Sequence, residues 1–127
     1  MRIIVDSYAW IEYFLGSGKG AAAKKIIENK SNEILTADVC LAEIRFWSLQ
    51  EKIDFEKLKS IILSNSSIVE SGLDDWLEAA EIKFEKRRKH KNIGLVDCLV
   101  MGKQRQLNAF VLTGDAHFKD NQNTKLI

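Results

Sequence analysis

No proline interrupts the 127 residues of this chain, and along its whole length short β-branched, apolar runs alternate with stretches of helical periodicity. That alternation favours a βαβ series with parallel strands. Strands are expected at about Arg2–Val5, Glu33–Thr36, Ser67–Glu70, Ala109–Thr113 and a short Thr124–Ile127. Helices are expected between them, at Tyr8–Leu15, Gly20–Asn29, Asp38–Lys52, Phe55–Ser64, Asp74–Lys89 and Leu95–Leu107. The gaps 16–20, 64–67 and 90–94 read as loops rather than linkers. The size suits one domain over residues 1–127 with one core.

The topology locates four acids. In an open α/β sheet the ligand crevice lies at the carboxyl ends of the parallel strands. Asp6 directly follows the first strand, and Asp115 lies two residues past Thr113 at the end of the fourth. From Asp97 to Leu107 a helix descends about 15 Å at 1.5 Å per residue, and Ala109 to Asp115 climbs back about 20 Å at 3.3 Å per residue. Asp97 and Asp115 are therefore expected at the same edge. Glu43 lies five residues beyond Asp38, read as the N-cap of its helix, and so roughly 7.5 Å below the helix start. Helical side chains lean toward the N-terminus, and glutamate has an extra methylene with which to reach back. Val39, Ala42, Phe46 and Gln50 share its face, which predicts a mostly core-facing stripe. Asp97 is the only ionisable residue between Ile93 and Gly102, and a lone carboxylate in apolar surroundings is costly unless paired or metal-bound. Taken singly, Asp6 and Asp115 also fit as helix or turn caps.

Clustered acids with no histidine or cysteine at ligand spacing point to a hard cation, Mg²⁺ or Mn²⁺, with oxygen ligands and exchangeable waters. The chemistry that follows is phosphodiester hydrolysis, with one or two ions activating a water and offsetting transition-state charge; two would stand about 3.5–4 Å apart. Lysine and arginine number 19 and acids 18, so neutralising four carboxylates leaves 19 bases against 14 acids, a balance suited to a polyanionic substrate. The run Lys83–Lys91 carries six bases against Glu85 alone, and Lys86, Arg87 and Arg88 within it are candidates for contacting an RNA backbone. It reads equally as a solvated helix end whose late cations favour the helix dipole.

Four segments carry a resemblance in order and spacing. Ile4-Val5-Asp6-Ser7-Tyr8-Ala9-Trp10-Ile11, Ala42-Glu43, Gly94-Leu95-Val96-Asp97-Cys98-Leu99 and Leu112-Thr113-Gly114-Asp115-Ala116-His117-Phe118 resemble the successive motifs of a PIN domain, and the likeness covers the whole chain. It looks most like the VapC-type toxins, single-domain ribonucleases held inactive by an antitoxin. The resemblance implies a three-layer α/β/α sandwich with a twisted, mainly parallel sheet of about five strands. It implies Asp6, Glu43, Asp97 and Asp115 as Mg²⁺ or Mn²⁺ acids, Ser7 and Thr113 as supporting hydroxyls, an RNA substrate, an antitoxin partner and a homodimer. The aromatics Tyr8, Trp10, Tyr13, Phe14, Phe46 and Trp47, most of them expected in the core, agree with an antitoxin-binding surface.

Two departures mark the chain. Many relatives carry a second acid two residues after the last aspartate, or an arginine between threonine and aspartate; here those places hold His117 and Gly114. The second metal position is thereby in question. His117 is expected to be a structural or surface histidine, and Asp120 a solvated turn residue rather than a substitute ligand.

Other classes fit less well. A haloacid-dehalogenase-like phosphatase needs an aspartate where Tyr8 stands, and a receiver domain needs an acidic pair where Asp6-Ser7 stands. The remaining alternative is a PIN-like module that binds RNA or protein without cutting. No stretch approaches the roughly 20 apolar residues of a membrane span, and the N-terminus resembles no secretory leader, so the expected location is the cytoplasm. Cys40 and Cys98 are too few for a structural zinc site and read as reduced, buried thiols.

Overall fold

The computed structural model describes residues 1–127. Its order is β1 (Arg2–Val5), α1 (Ser7–Leu15), α2 (Gly18–Ile27), β2 (Glu33–Ala37), α3 (Asp38–Gln50), α4 (Phe55–Asn65), β3 (Ser67–Val69), α5 (Leu73–Lys86), α6 (Leu95–Leu107), β4 (Phe110–Thr113), a 3-10 turn (Ala116–Phe118) and β5 (Thr124–Leu126). The strands form one sheet in the order β3-β2-β1-β4-β5, and every pairing is parallel. All the expected strands and helices form, with ends shifted by three residues at most.

Side-chain alternation explains the layers. In β1, Ile4 faces one way and Ile3 and Val5 the other; Leu35 and Ile34 in β2, and Val111 and Leu112 in β4, divide likewise. The Ile4 side packs against α5 and α6 through Ala79, Ile82, Cys98, Leu99 and Met101. The Ile3 side packs against α1 to α4 through Ala9, Trp10, Ala23, Ile27, Ile44, Leu58 and Ile62. Helices thus cover both faces, the α/β/α sandwich expected of a parallel sheet buried on both sides. Trp10 is fully buried, and its indole N–H donates to Thr36 Oγ1 at 3.1 Å, satisfying the one polar atom of the ring.

The chain reverses direction across the sheet at β1. It moves outward through β2 and β3 and then crosses back to lay β4 on the other side of β1, so the β1–β4 boundary is the topological switch point. The Asp6 amide donates to Leu112 O at 3.0 Å, tying the two strand ends together.

Two local expectations are corrected. Ala37, not Asp38, occupies the N-cap of α3; the Asp38 carboxylate accepts from Val39 N (2.8 Å) and from Ser71 N (3.0 Å), so it binds α3 to the segment after β3. The stripe containing Glu43 does not face the core. The buried residues of α3 are Cys40, Ile44 and Ser48, one position round the helix, while Phe46 is 63% exposed. Val39, Ala42, Phe46 and Gln50, with Trp47 of the same helix, instead line an open groove against Ile11 of α1.

Candidate metal centre

Four separate segments bring the four acids to the carboxyl edge of the sheet. Asp6 directly follows β1 and is 3% exposed, and its side chain makes no capping bond to α1. Glu43 reaches up from the second turn of α3, Asp97 lies in the first turn of α6, and Asp115 follows β4. Ligand atoms of Asp6, Cys40 and Glu43 lie within 4.8 Å of one another, as do those of Asp97, Asp115 and His117. The predicted convergence of Asp97 with Asp115 is thus seen directly. The two groups sense each other as well, since Asp97 and Asp115 both act on Glu43.

Hydroxyls hold the acids in place. Thr113 Oγ1 donates to Asp6 Oδ2 at 2.8 Å and accepts from the Asp115 amide at 3.0 Å, so one buried hydroxyl fixes two of the four segments. Ser7 Oγ donates to Glu43 Oε1 at 2.8 Å, linking the start of α1 to α3. Cys40, a free and buried thiol, donates to Asp6 Oδ1 at 3.6 Å. Asp115 does act as a cap, because its Oδ1 accepts from His117 N at 2.8 Å and closes the 3-10 turn.

The electrostatics are those of a site short of positive charge. Burial, only partly offset by the Thr113 bond and reinforced by Asp97 and Glu43, pushes the Asp6 carboxyl up to about 7. Burial raises Glu43, against the Ser7 bond and with the fields of Asp97 and Asp115. Burial and then Asp115 raise Asp97, and His117 opposes them. The ion pairs made by lysine and arginine lie elsewhere, at Glu33, Glu56, Asp120 and Asp75. This donor set, rich in oxygens and with its charge uncompensated by neighbouring bases, fits a hard divalent cation.

Of the two sequence readings of His117, structural or surface, its position sets aside the second. Its Nδ1 stands 3.2 Å from Asp97 Oδ2 and 3.2 Å from Asp115 Oδ1, inside the acid cluster rather than on the outer surface. The signal available in the sequence was the neighbour Phe118, whose fully buried ring anchors the turn that presents His117. Asp120 stays outside, as expected, paired with His90 Nε2 at 2.9 Å and Lys89 at 3.6 Å. The His90 ring in turn meets the His117 ring edge-on at 5.8 Å, so the end of the basic run adjoins the cluster. Within that run Lys86 is half-buried while Arg87 and Arg88 are exposed, and the Arg87 guanidinium lies 3.8 Å above the Phe84 ring. At Gly114, any Cβ would collide with the ring of Tyr8, so this close approach calls for glycine.

No helix is long and apolar enough to cross a membrane. No curated protein sequence matches the chain. Several solved structures share its fold. It superposes on VapBC2 from Rickettsia felis, bound to a DNA fragment from their promoter, with a TM-score of 0.72 at 20% identity, over 100% of this chain and 98% of that one. VapC20 of Mycobacterium tuberculosis, a sarcin-ricin loop cleaving toxin, matches with a TM-score of 0.78 at 17% identity over 95% of each chain. DNA-bound VapBC from Salmonella typhimurium matches with a TM-score of 0.70 at 14% identity, over 100% of this chain and 97% of that one. The sequence model of the PIN domain matches residues 3–123. With that match spanning nearly its entire length, and the all-parallel sheet carrying acids at its switch point, the chain belongs to the PIN domain family.

Proposed function

We propose that this chain is a divalent-cation-dependent endoribonuclease, the toxin of a toxin-antitoxin pair, acting in the cytoplasm as one unit over residues 1–127. The observation that carries the reading is the convergence of Asp6, Glu43, Asp97 and Asp115 from four separate segments onto one edge. Accidental acids would relax toward solvent, whereas here Asp6 and Thr113 are buried together and bonded. The neighbours described as toxin-antitoxin assemblies and as a sarcin-ricin loop cleaving toxin support the choice of RNA and of an antitoxin.

Asp6, Glu43, Asp97 and Asp115 would hold Mg²⁺ or Mn²⁺, one ion or two. A bound ion of this kind lowers the pKa of water and stabilises charge on a reacting phosphate. The protein supplies the positioning: Thr113 fixes the Asp6 oxygen toward the edge, Ser7 fixes Glu43, and the capped turn after β4 fixes Asp115. Lys86, Arg87 and Arg88 would draw an RNA backbone toward that edge, because their turn leads through His90 to the acid cluster. The groove of Ile11, Val39, Ala42, Phe46 and Trp47 runs up to Ser7 and Glu43, and an antitoxin segment seated there would reach the centre itself. A homodimer is part of the same reading.

The test is incubation of the purified chain, freed of any bound partner, with mixed RNA in Mn²⁺, Mg²⁺ or chelator, beside Asp97→Asn. Cleavage that needs the cation and is lost in the variant is expected. Cation binding without cleavage of any RNA would favour a non-catalytic RNA- or protein-binding module instead.

A further inference from the structure

The four acids do not form one symmetric ring. They divide into Asp6 with Glu43, joined by Cys40, and Asp97 with Asp115, joined by His117. The third donor therefore differs on the two sides, and on the second side it is an imidazole nitrogen.

The placement of that nitrogen is specific. His117 Nδ1 is 3.2 Å from Asp97 Oδ2 and the same distance from Asp115 Oδ1. A neutral imidazole offers a single hydrogen or a single lone pair at Nδ1, so it cannot serve two carboxylates equally well as a hydrogen-bond donor. Three donors about one divalent ion do adopt such spacing, since adjacent ligands of an octahedral ion bound at ~2.1 Å stand about 3 Å apart. The ring is also held on its other sides. The backbone N–H of His117 caps onto Asp115, Phe118 buries the turn, and His90 packs edge-on against the ring while its own Nε2 is taken by Asp120.

We propose that His117, through Nδ1, is a nitrogen ligand to a divalent cation shared with Asp97 and Asp115, and that it makes this half of the centre select Mn²⁺ over Mg²⁺. The inference rests on the reading of the acids as a cation centre. Its chemical basis is donor preference: Mg²⁺ demands oxygen ligands and gives up water reluctantly, whereas an imidazole nitrogen suits first-row transition ions. Two carboxylates and one neutral nitrogen also leave the lobe with a charge that one divalent ion balances.

Without an affinity tag these 127 residues contain only two histidines, His90 and His117, which makes the assignment open to spectroscopy. Mn²⁺ binding would be titrated by electron paramagnetic resonance with Mg²⁺ as competitor, and the bound ion examined by pulsed methods for coupling to nitrogen. The expected result is nitrogen coupling in the wild type and in His90→Ala, shifted when histidine is labelled with ¹⁵N. In His117→Asp, which restores an oxygen donor, the coupling should vanish and the preference for Mn²⁺ over Mg²⁺ should fall by about tenfold or more. Bound Mn²⁺ with no nitrogen coupling in the wild type overturns the role of His117 while leaving the cation centre standing, and this arm needs no variant to fold. Coupling that survives His117→Asp overturns it too. A wild-type chain that binds no Mn²⁺ overturns the cation centre and the inference together.

Discussion

The Thr113 hydroxyl donates to Asp6 at 2.8 Å across the boundary between β1 and β4, joining residues 107 positions apart in a fully buried contact. Because the same oxygen accepts from the Asp115 amide, Thr113 sets the relative position of two acids at once. Thr113→Val keeps the shape and removes both bonds. Leaving a buried acceptor and a buried N–H unsatisfied should cost about 1–3 kcal/mol in urea unfolding under chelation, with cation affinity falling about tenfold or more. Unchanged cation affinity would show that Thr113 serves the sheet and not the centre.

The acid cluster predicts an unusual pH dependence. With its carboxyl at about 7 in the folded state against an ordinary value near 3.8, folded Asp6 holds a proton between roughly pH 4 and 7 that the unfolded chain has lost. Proton uptake by the native state means that stability falls as pH rises through this window. Glu43 and Asp97 are raised as well and act in the same direction. Urea unfolding in chelator should therefore give lower stability at pH 8 than at pH 5, with a slope of at most about 1.4 kcal/mol per pH unit for each group. Saturating Mn²⁺ should flatten or reverse the trend, since binding favours the ionised carboxylates. Stability that rises with pH in the cation-free protein would contradict the burial and mutual repulsion that raise these acids.

Asp97→Asn separates stability from function. The amide removes one charge from a crowded set and can still hydrogen-bond His117 Nδ1 through its oxygen or its N–H. In chelator the variant should be as stable as the wild type or up to about 2 kcal/mol more stable. Its RNA cleavage should fall by about a hundredfold or more, as expected when a group essential to cation binding is lost. A variant that keeps both cation affinity and cleavage would remove Asp97 from the centre.

Reversing Arg87 and Arg88 to glutamate tests the basic turn. If the two side chains meet phosphates, RNA binding should weaken and its dependence on salt should flatten by about one unit of log–log slope per lost contact. Arg87 also covers the Phe84 ring, so a circular dichroism melt of the variant serves as the control. Binding and salt slope equal to the wild type would leave the turn as a solvated helix end.

The positions of the strands, and so of Asp6 and Asp115, were legible because parallel strands place their carboxyl ends together and the turn of α6 into β4 allows little freedom. Helix α6 was legible to the residue, since Gly94 and Asn108 bracket an apolar pattern that only a helix accommodates. The orientation of α3 was not. Its buried face includes the polar Ser48, which donates to Arg45 O, while Val39 is only half-buried and Phe46 is exposed, so hydrophobic periodicity points one residue away from the true core. An apolar stripe in sequence reads the same whether sheet or partner is meant to cover it. His117 was hidden for a different reason: spacing by two residues carries direction only in a regular element, and here a capped 3-10 turn folds the ring back over the acids.

The strand order governs when the centre can exist at all. β1 leaves the ribosome before the other strands, yet its neighbour on one side is β4, and Asp6 finds its hydroxyl partner only when Thr113 arrives. A nascent chain can collapse around β1, β2 and their helices, but the β1–β4 edge closes only after β4 has been made, as non-local parallel pairing comes late generally. Whatever chemistry the acids perform is thereby withheld from the translating machinery until β4 has emerged, so the sheet order works as a timing device written into the connectivity.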